Sequence, residues 1–71
     1  MNLTVNGKSA TIEAQGNVSV LQLLDLLNVS QKEYVTVELN GDILDRESFA
    51  ASPVQDGDTV EFLYFMGGGA L

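Results

Sequence analysis

VQDGDTVEFLYFM, residues 54–66, is the stretch that decides the fold. Asp56-Gly57-Asp58 supplies turn chemistry, because glycine accepts a positive φ and aspartate hydrogen-bonds its own backbone. TVEFLYFM, residues 59–66, is rich in the β-branched and aromatic side chains that fit a pleated, half-buried surface. It is the strongest predicted strand in the chain, and a strand this apolar belongs at or near the centre of a sheet. Side chains alternate along a strand, so placing Val60 and Phe62 in the core turns Glu61, Leu63 and Phe65 outward.

The partners of that strand lie upstream. NLTVN, residues 2–6, puts Leu3 and Val5 on one face, and Asn6-Gly7 then provides the positive backbone angles of a two-residue hairpin turn. SATIEA, residues 9–14, returns with Ala10 and Ile12 on one face and Thr11 and Glu13 on the other. Gln15-Gly16-Asn17 interrupts the pattern. Ser19 followed by Gln22 has the spacing of a capping box, which predicts a helix over VLQLLDLL. Val20, Leu23, Leu24 and Leu27 form one apolar stripe, Leu21 and Leu26 are expected to widen it, and Gln22 and Asp25 face away. Leucine density of this kind reads as core packing on the sheet.

YVTVELN, residues 34–40, alternates again, with Val35, Val37 and Leu39 against Thr36 and Glu38, and Asn40-Gly41 marks another turn. Ile43-Leu44 fits a short returning strand, and DRESFA, residues 45–50, fits one helical turn ahead of Pro53. The order is hairpin, helix, strand, short strand, helical turn and final strand. It predicts an α+β chain of the β-grasp, ubiquitin-like type, a mixed sheet of four to five strands packed on one main helix.

Composition narrows the function. A chain of 71 residues makes one core, and a domain this small buries only about 60% of the surface its unfolded chain exposes. The sequence has no cysteine and no histidine, hence no thiolate nucleophile and none of the usual ligands of zinc. Lys8, Lys32 and Arg46 are its only cations against ten carboxylates, and a net charge of −7 repels phosphate backbones. No nucleic-acid partner and no membrane association is expected, and without a basic, apolar leader the expected compartment is the cytoplasm. Asp42, Asp45, Glu47, Asp56 and Asp58 lack the spacing of a calcium loop and read as turn residues, so no metal is assigned.

The chain divides into a folded part, 1–66, and a tail, 67–71, that begins with Gly67, Gly68 and Gly69. Glycine lets a backbone bend freely and pass a channel that any Cβ would block. Such a tail is either a frayed terminus or an arm that a partner enzyme threads into its active site.

The whole chain resembles the small sulfur carrier proteins of the ThiS type, which serve thiamine biosynthesis, and more distantly the MoaD type of molybdenum-cofactor synthesis. The resemblance rests on the Asn6-Gly7 hairpin, SVLQLLDLL at 19–27, VTVELNGDIL at 35–44 with DRESF after it, VQDGDTVEFLYFM at 54–66, and Gly68-Gly69. It implies a carrier and not an enzyme, with no bound cofactor. In that family an adenylating enzyme, of the ThiF or MoeB kind, activates the carboxylate of the last glycine with ATP, and a sulfur donor converts the acyl-adenylate to a thiocarboxylate. Carried over by position, Gly69 bears the reactive carboxyl, Gly68 is the penultimate glycine and Gly67 adds reach. Leu63 and Phe65, beside the tail, become an expected docking patch for the activating enzyme and for a sulfur acceptor such as thiazole synthase, unless another segment covers that face.

The departure from the family pattern is Ala70-Leu71, which puts a leucine carboxylate where a glycine carboxylate should be. Three explanations compete: a processing peptidase that removes the pair, a carrier that tolerates it, and a non-covalent ubiquitin-like interaction module that never carries sulfur. Removal is the favoured expectation. Thiamine is the expected pathway, and cysteine or homocysteine formation, molybdopterin synthesis and conjugation to protein amines remain open alternatives.

Overall fold

The structure is a computed structural model, and it describes residues 1–13 and 16–64. The first two strands, β1 (Asn2–Val5) and β2 (Lys8–Thr11), pair antiparallel with Leu3 opposite Ala10. Asn6 and Gly7 both take positive φ, +50° and +82°, as the turn between twisted strands requires. Met1 and Ile12 exchange hydrogen bonds past the strand ends, so Ile12 closes onto the core.

β3 (Val18–Ser19) leads into the helix α1 (Val20–Leu26). Ser19 Oγ accepts from the Gln22 N–H at 3.1 Å, and Gln22 Oε1 accepts from the Ser19 N–H at 2.9 Å, completing the predicted capping box. Each bond satisfies a donor that the first helical turn leaves without a backbone partner. After a loop come β4 (Thr36–Leu39), β5 (Asp42–Leu44), a 3₁₀ turn (Arg46–Ala51), β6 (Pro53–Val54) and β7 (Thr59–Leu63).

The main sheet has the order β2-β1-β7-β4-β5, with β7 central, parallel to β1 and antiparallel to β4. This is the β-grasp arrangement predicted from the order of the elements, with the last strand central as its composition predicts. Val20, Leu23 and Leu24 from α1 join Leu3, Val37, Val60, Phe62 and Phe49 in one buried cluster on a single face of the sheet. The opposite face is uncovered among the described residues.

Three details differ from expectation. Leu21 and Leu26 do not widen the helix stripe: they are 48% and 47% exposed. At 3.6 residues per turn both project about 110° from the stripe's centre, beyond the arc that reaches the sheet. The second difference is the small antiparallel pair of β3 and β6, Val18 opposite Val54 and Ser19 opposite Pro53. Two-residue strands give no alternation to read, and Pro53 is tolerated in this pair because it lies in a two-stranded edge. Both valines are buried by that pairing. The final strand is shorter than the predicted 59–66, ending at Leu63, and the end of that prediction lies outside the described residues.

Candidate functional site

Three turns fix where β7 runs. Gln55 to Asp58 close a turn through the Asp58 N–H to Gln55 carbonyl bond at 3.0 Å, and Asp58 Oδ2 accepts from the Gln55 N–H at 2.8 Å. The turn is stitched to β1: the Asn2 N–H donates to Asp56 Oδ1 at 2.6 Å, and the Gly57 N–H donates to the Asn2 carbonyl at 2.7 Å. Gly57 has φ +91°, which keeps a side chain out of this position. Asp56 and Asp58 therefore serve the turn, as their sequence context predicts, and among the described residues no three acidic side chains converge as a metal site.

Asn40 and Asn6 do more than the sequence indicated. Asn40 takes φ +52° at the β4–β5 turn while its side chain bonds the start of β7, Oδ1 accepting from the Thr59 N–H at 2.9 Å and Nδ2 donating to Asp58 Oδ1 at 3.0 Å. Asn6 likewise combines its turn φ with a side-chain bond, Oδ1 accepting from the Phe62 N–H at 2.8 Å. That bond extends β7's pairing beyond the last residue of β1. The sequence signal read as a turn, Asn-Gly, was correct, but the long-range acceptor role has no local signature.

The strand's end is also tied down. Tyr64 donates its hydroxyl to the Ser30 carbonyl at 2.5 Å, joining the residue after β7 to the loop that follows α1. Arg46 holds the same loop from the other side, donating to the carbonyls of Lys32 at 2.7 Å and Val35 at 2.8 Å, with its guanidinium 5.3 Å from the centre of the Phe49 ring. Lys32 pairs with Asp25 across this loop. The Asp25 carboxylate holds the Lys32 ammonium above its ordinary pKa, by the hydrogen bond first and by charge second. Both groups are solvent-exposed, so the pair orders the loop more than it stabilises the fold.

β7 thus presents a fixed outer face. Glu61 and Leu63 project from it, with Glu38 opposite Glu61 and Thr36 opposite Leu63 on β4, and Ile43 of β5 opposite Glu38. Val60 and Phe62 face the core, as the alternation predicted. Leu63 is half-buried among its strand neighbours and points away from the helix. Of the other expected site residues, Phe65, Gly67, Gly68 and Gly69 lie outside the described residues. On the helix side an open depression is lined by Leu21, Ala50, Ala51 and Pro53 together with Asn17, Val18, Ser19 and Gln22. None of these side chains titrates in the physiological range, and the Ser19 hydroxyl is occupied in the capping box.

The comparisons with known proteins match this architecture. The ThiS family model matches residues 3–69. A thiamine biosynthesis protein (ThiS) from Geobacter metallireducens is 62% identical; its crystal structure superposes with a TM-score of 0.90, covering 97% of this chain and 100% of that one. The solution structure of a thiamine biosynthesis protein from the same organism, also 62% identical, gives a TM-score of 0.78 over 100% of this chain and 91% of that one. A thiazole synthase of Paramagnetospirillum magneticum is 37% identical over 70 residues, 99% of this chain; the chain spans only 21% of that relative's length.

Proposed function

The chain belongs to the ThiS family, and from that membership we propose that it is a sulfur carrier of thiamine biosynthesis, whose Gly69 carboxylate is adenylated and then converted to a thiocarboxylate. The observation that carries the reading is the extent of the family match, which runs through the whole β-grasp body and ends at residue 69. The thiamine assignment is supported by the 62% identity to the Geobacter protein and by the thiazole synthase similarity.

The chemistry follows from what the chain lacks. A carboxylate is a poor acyl donor because its oxygen is a poor leaving group. Attack of the Gly69 carboxylate on the α-phosphorus of ATP forms the acyl-adenylate and releases pyrophosphate. A sulfur nucleophile then takes the acyl carbon and AMP leaves. Binding and positioning come from the partner enzyme and from this chain's docking surface, since the chain has no cysteine or histidine of its own. Whatever follows Gly69 must first be removed by a peptidase, here Ala70 and Leu71. Glycines 67 to 69 offer no Cβ to a narrow adenylation channel. Leu63 and Phe65 would dock against the adenylating enzyme and then against thiazole synthase.

Intact-mass measurement of the protein purified from its own host tests this. The expected result is a chain lacking Ala70-Leu71, part of it heavier by the exchange of one oxygen for sulfur. A population that stays full-length and unmodified while thiamine is being made would overturn the assignment.

A further inference from the structure

The sheet's uncovered face contains an electrostatic conflict. Glu38 and Glu61 are directly opposite each other on β4 and β7. The Asn40 N–H to Thr59 carbonyl bond sets the ladder's alternation, which makes Glu38 and Glu61 a hydrogen-bonded pair two residues further along, with Cβ atoms about 5 Å apart. Like charges so placed destabilise a sheet.

Nothing among the described residues relieves the conflict. The chain's three cations are used elsewhere: Lys32 pairs with Asp25 beside the helix, Arg46 donates to the carbonyls of Lys32 and Val35, and Lys8 is on edge strand β2 with β1 between it and β7. Neither glutamate makes a salt bridge among the described residues. Both are only half-exposed, so water screens them less than free surface carboxylates.

Apolar side chains bracket the pair. Ile43, directly across from Glu38, is 65% exposed on a sheet face where a polar residue would ordinarily stand. Leu63 lies two residues beyond Glu61 on the same face. A carboxylate pair between two aliphatic groups is complementary to one kind of partner surface. A guanidinium fits best, because its planar fork donates to two carboxylates at once and is desolvated at less cost than an ammonium.

We propose that the Ile43–Glu38–Glu61–Leu63 face docks an arginine of the adenylating enzyme, the guanidinium seated between the two carboxylates and apolar side chains against Ile43 and Leu63. The identity of the occupant rests on the carrier reading above; the charge and apolar pattern does not. Docking would remove a repulsion that the isolated fold carries, so association gains both the new ion pair and the relief of the old conflict.

The test uses Glu61→Gln and Glu38→Gln, which keep shape and remove one charge each. Dissociation constants of the full chain for its host's adenylating enzyme are measured by calorimetry without ATP, at low and high salt, alongside urea unfolding of each variant alone. Each variant should bind roughly three- to tenfold more weakly with a smaller salt dependence, while being at least as stable as wild type in isolation. Unchanged affinity and salt dependence, or a wild type that does not bind, overturns the proposal. Self-association of the wild type that Glu61→Gln abolishes would assign the face to a second copy instead and also overturns it. Adenylation with ATP, run on the form ending at Gly69, reads the carrier function separately: binding without adenylation sinks that function and leaves the docking face standing.

Discussion

Substitution of Asn6 separates its two roles. Its Oδ1 accepts from the Phe62 N–H at 2.8 Å, and its backbone sits at φ +50°. Asn6→Gly keeps the turn and removes the acceptor. The Phe62 amide belongs to a residue only 9% exposed, so leaving it without a partner costs about 1–2 kcal/mol. Asn6→Ala loses the same bond and adds about 1 kcal/mol because alanine tolerates the left-handed region less well than asparagine, about 2–3 kcal/mol together. Asn6→Asp keeps an acceptor and a residue that tolerates this φ, and should stay within about 0.5 kcal/mol of wild type. For a chain of 71 residues a total stability of about 4–10 kcal/mol is ordinary, so the alanine variant loses a large fraction. Its Tm should fall by on the order of 10–20 °C. Urea unfolding at constant m, with hydrogen exchange of the Phe62 amide, reads both terms. A glycine variant as stable as wild type, with Phe62 exchange unchanged, would refute the acceptor role; an aspartate variant as damaged as alanine would refute the whole decomposition.

The remaining predictions concern the face, the helix and the loop. Leu63→Glu should leave the fold intact, because the side chain is only half-buried, yet lower activation by the adenylating enzyme by roughly tenfold, about 1.4 kcal/mol; unchanged activation with a native spectrum would remove Leu63 from the docking patch. Leu26→Lys, at a 47% exposed position, should change stability by no more than about 0.5 kcal/mol, whereas Leu23→Ala, fully buried, should cost about 2–5 kcal/mol by urea unfolding. Equal costs would mean that Leu26 belongs to the core after all. Lys32 is raised above its ordinary value of 10.5 when folded. Its contribution is therefore complete below that value and lost only as pH rises through the folded pKa, in the strongly alkaline range. Following the Lys32 side chain by NMR should show the titration move down toward the ordinary value in Asp25→Asn; no movement would show that Asp25 is not the cause.

Much of this fold is written locally. Asn6-Gly7, Asn40-Gly41 and Asp56-Gly57-Asp58 each demand a turn by backbone geometry alone, and Ser19 with Gln22 fixes the helix start through two bonds three residues apart. The composition of residues 59–63 was enough to place that strand centrally. What escaped the sequence depends on distance along the chain. The pairing of Val18 with Val54 spans 36 residues (54 − 18) with two-residue strands at either end, too short for any periodicity. Leu26 misled because hydrophobicity reports what a side chain tolerates, whereas burial depends on the angle at which the helix meets the sheet. The site was legible in part: Leu63 was placed on the outer face by alternation alone, but the Glu38–Glu61 juxtaposition follows only from the register between β4 and β7.

That register also explains why the fold tolerates an unfavourable pair. In an antiparallel ladder each side chain's neighbour is set by the same hydrogen bonds that set the core, so Glu38 cannot move away from Glu61 without shifting Val37 from Phe62. A one-residue slip of β4 would turn Val37, fully buried, and Leu39, packed beside it, toward water. Burial of such side chains is worth about 1.5–3 kcal/mol each, while a like-charge cross-strand pair costs about 0.2–1 kcal/mol. The core therefore wins, and the repulsion persists as a standing cost on the exposed face. The same comparison predicts where tolerance ends: moving a third carboxylate into the row, by Ile43→Glu, adds repulsion across β4 without touching the core. The isolated protein should then lose no more than about 1 kcal/mol, whereas the exposed face loses its apolar bracket. A stability loss several times larger would show that Ile43 packs into the fold and is not held in reserve for a partner.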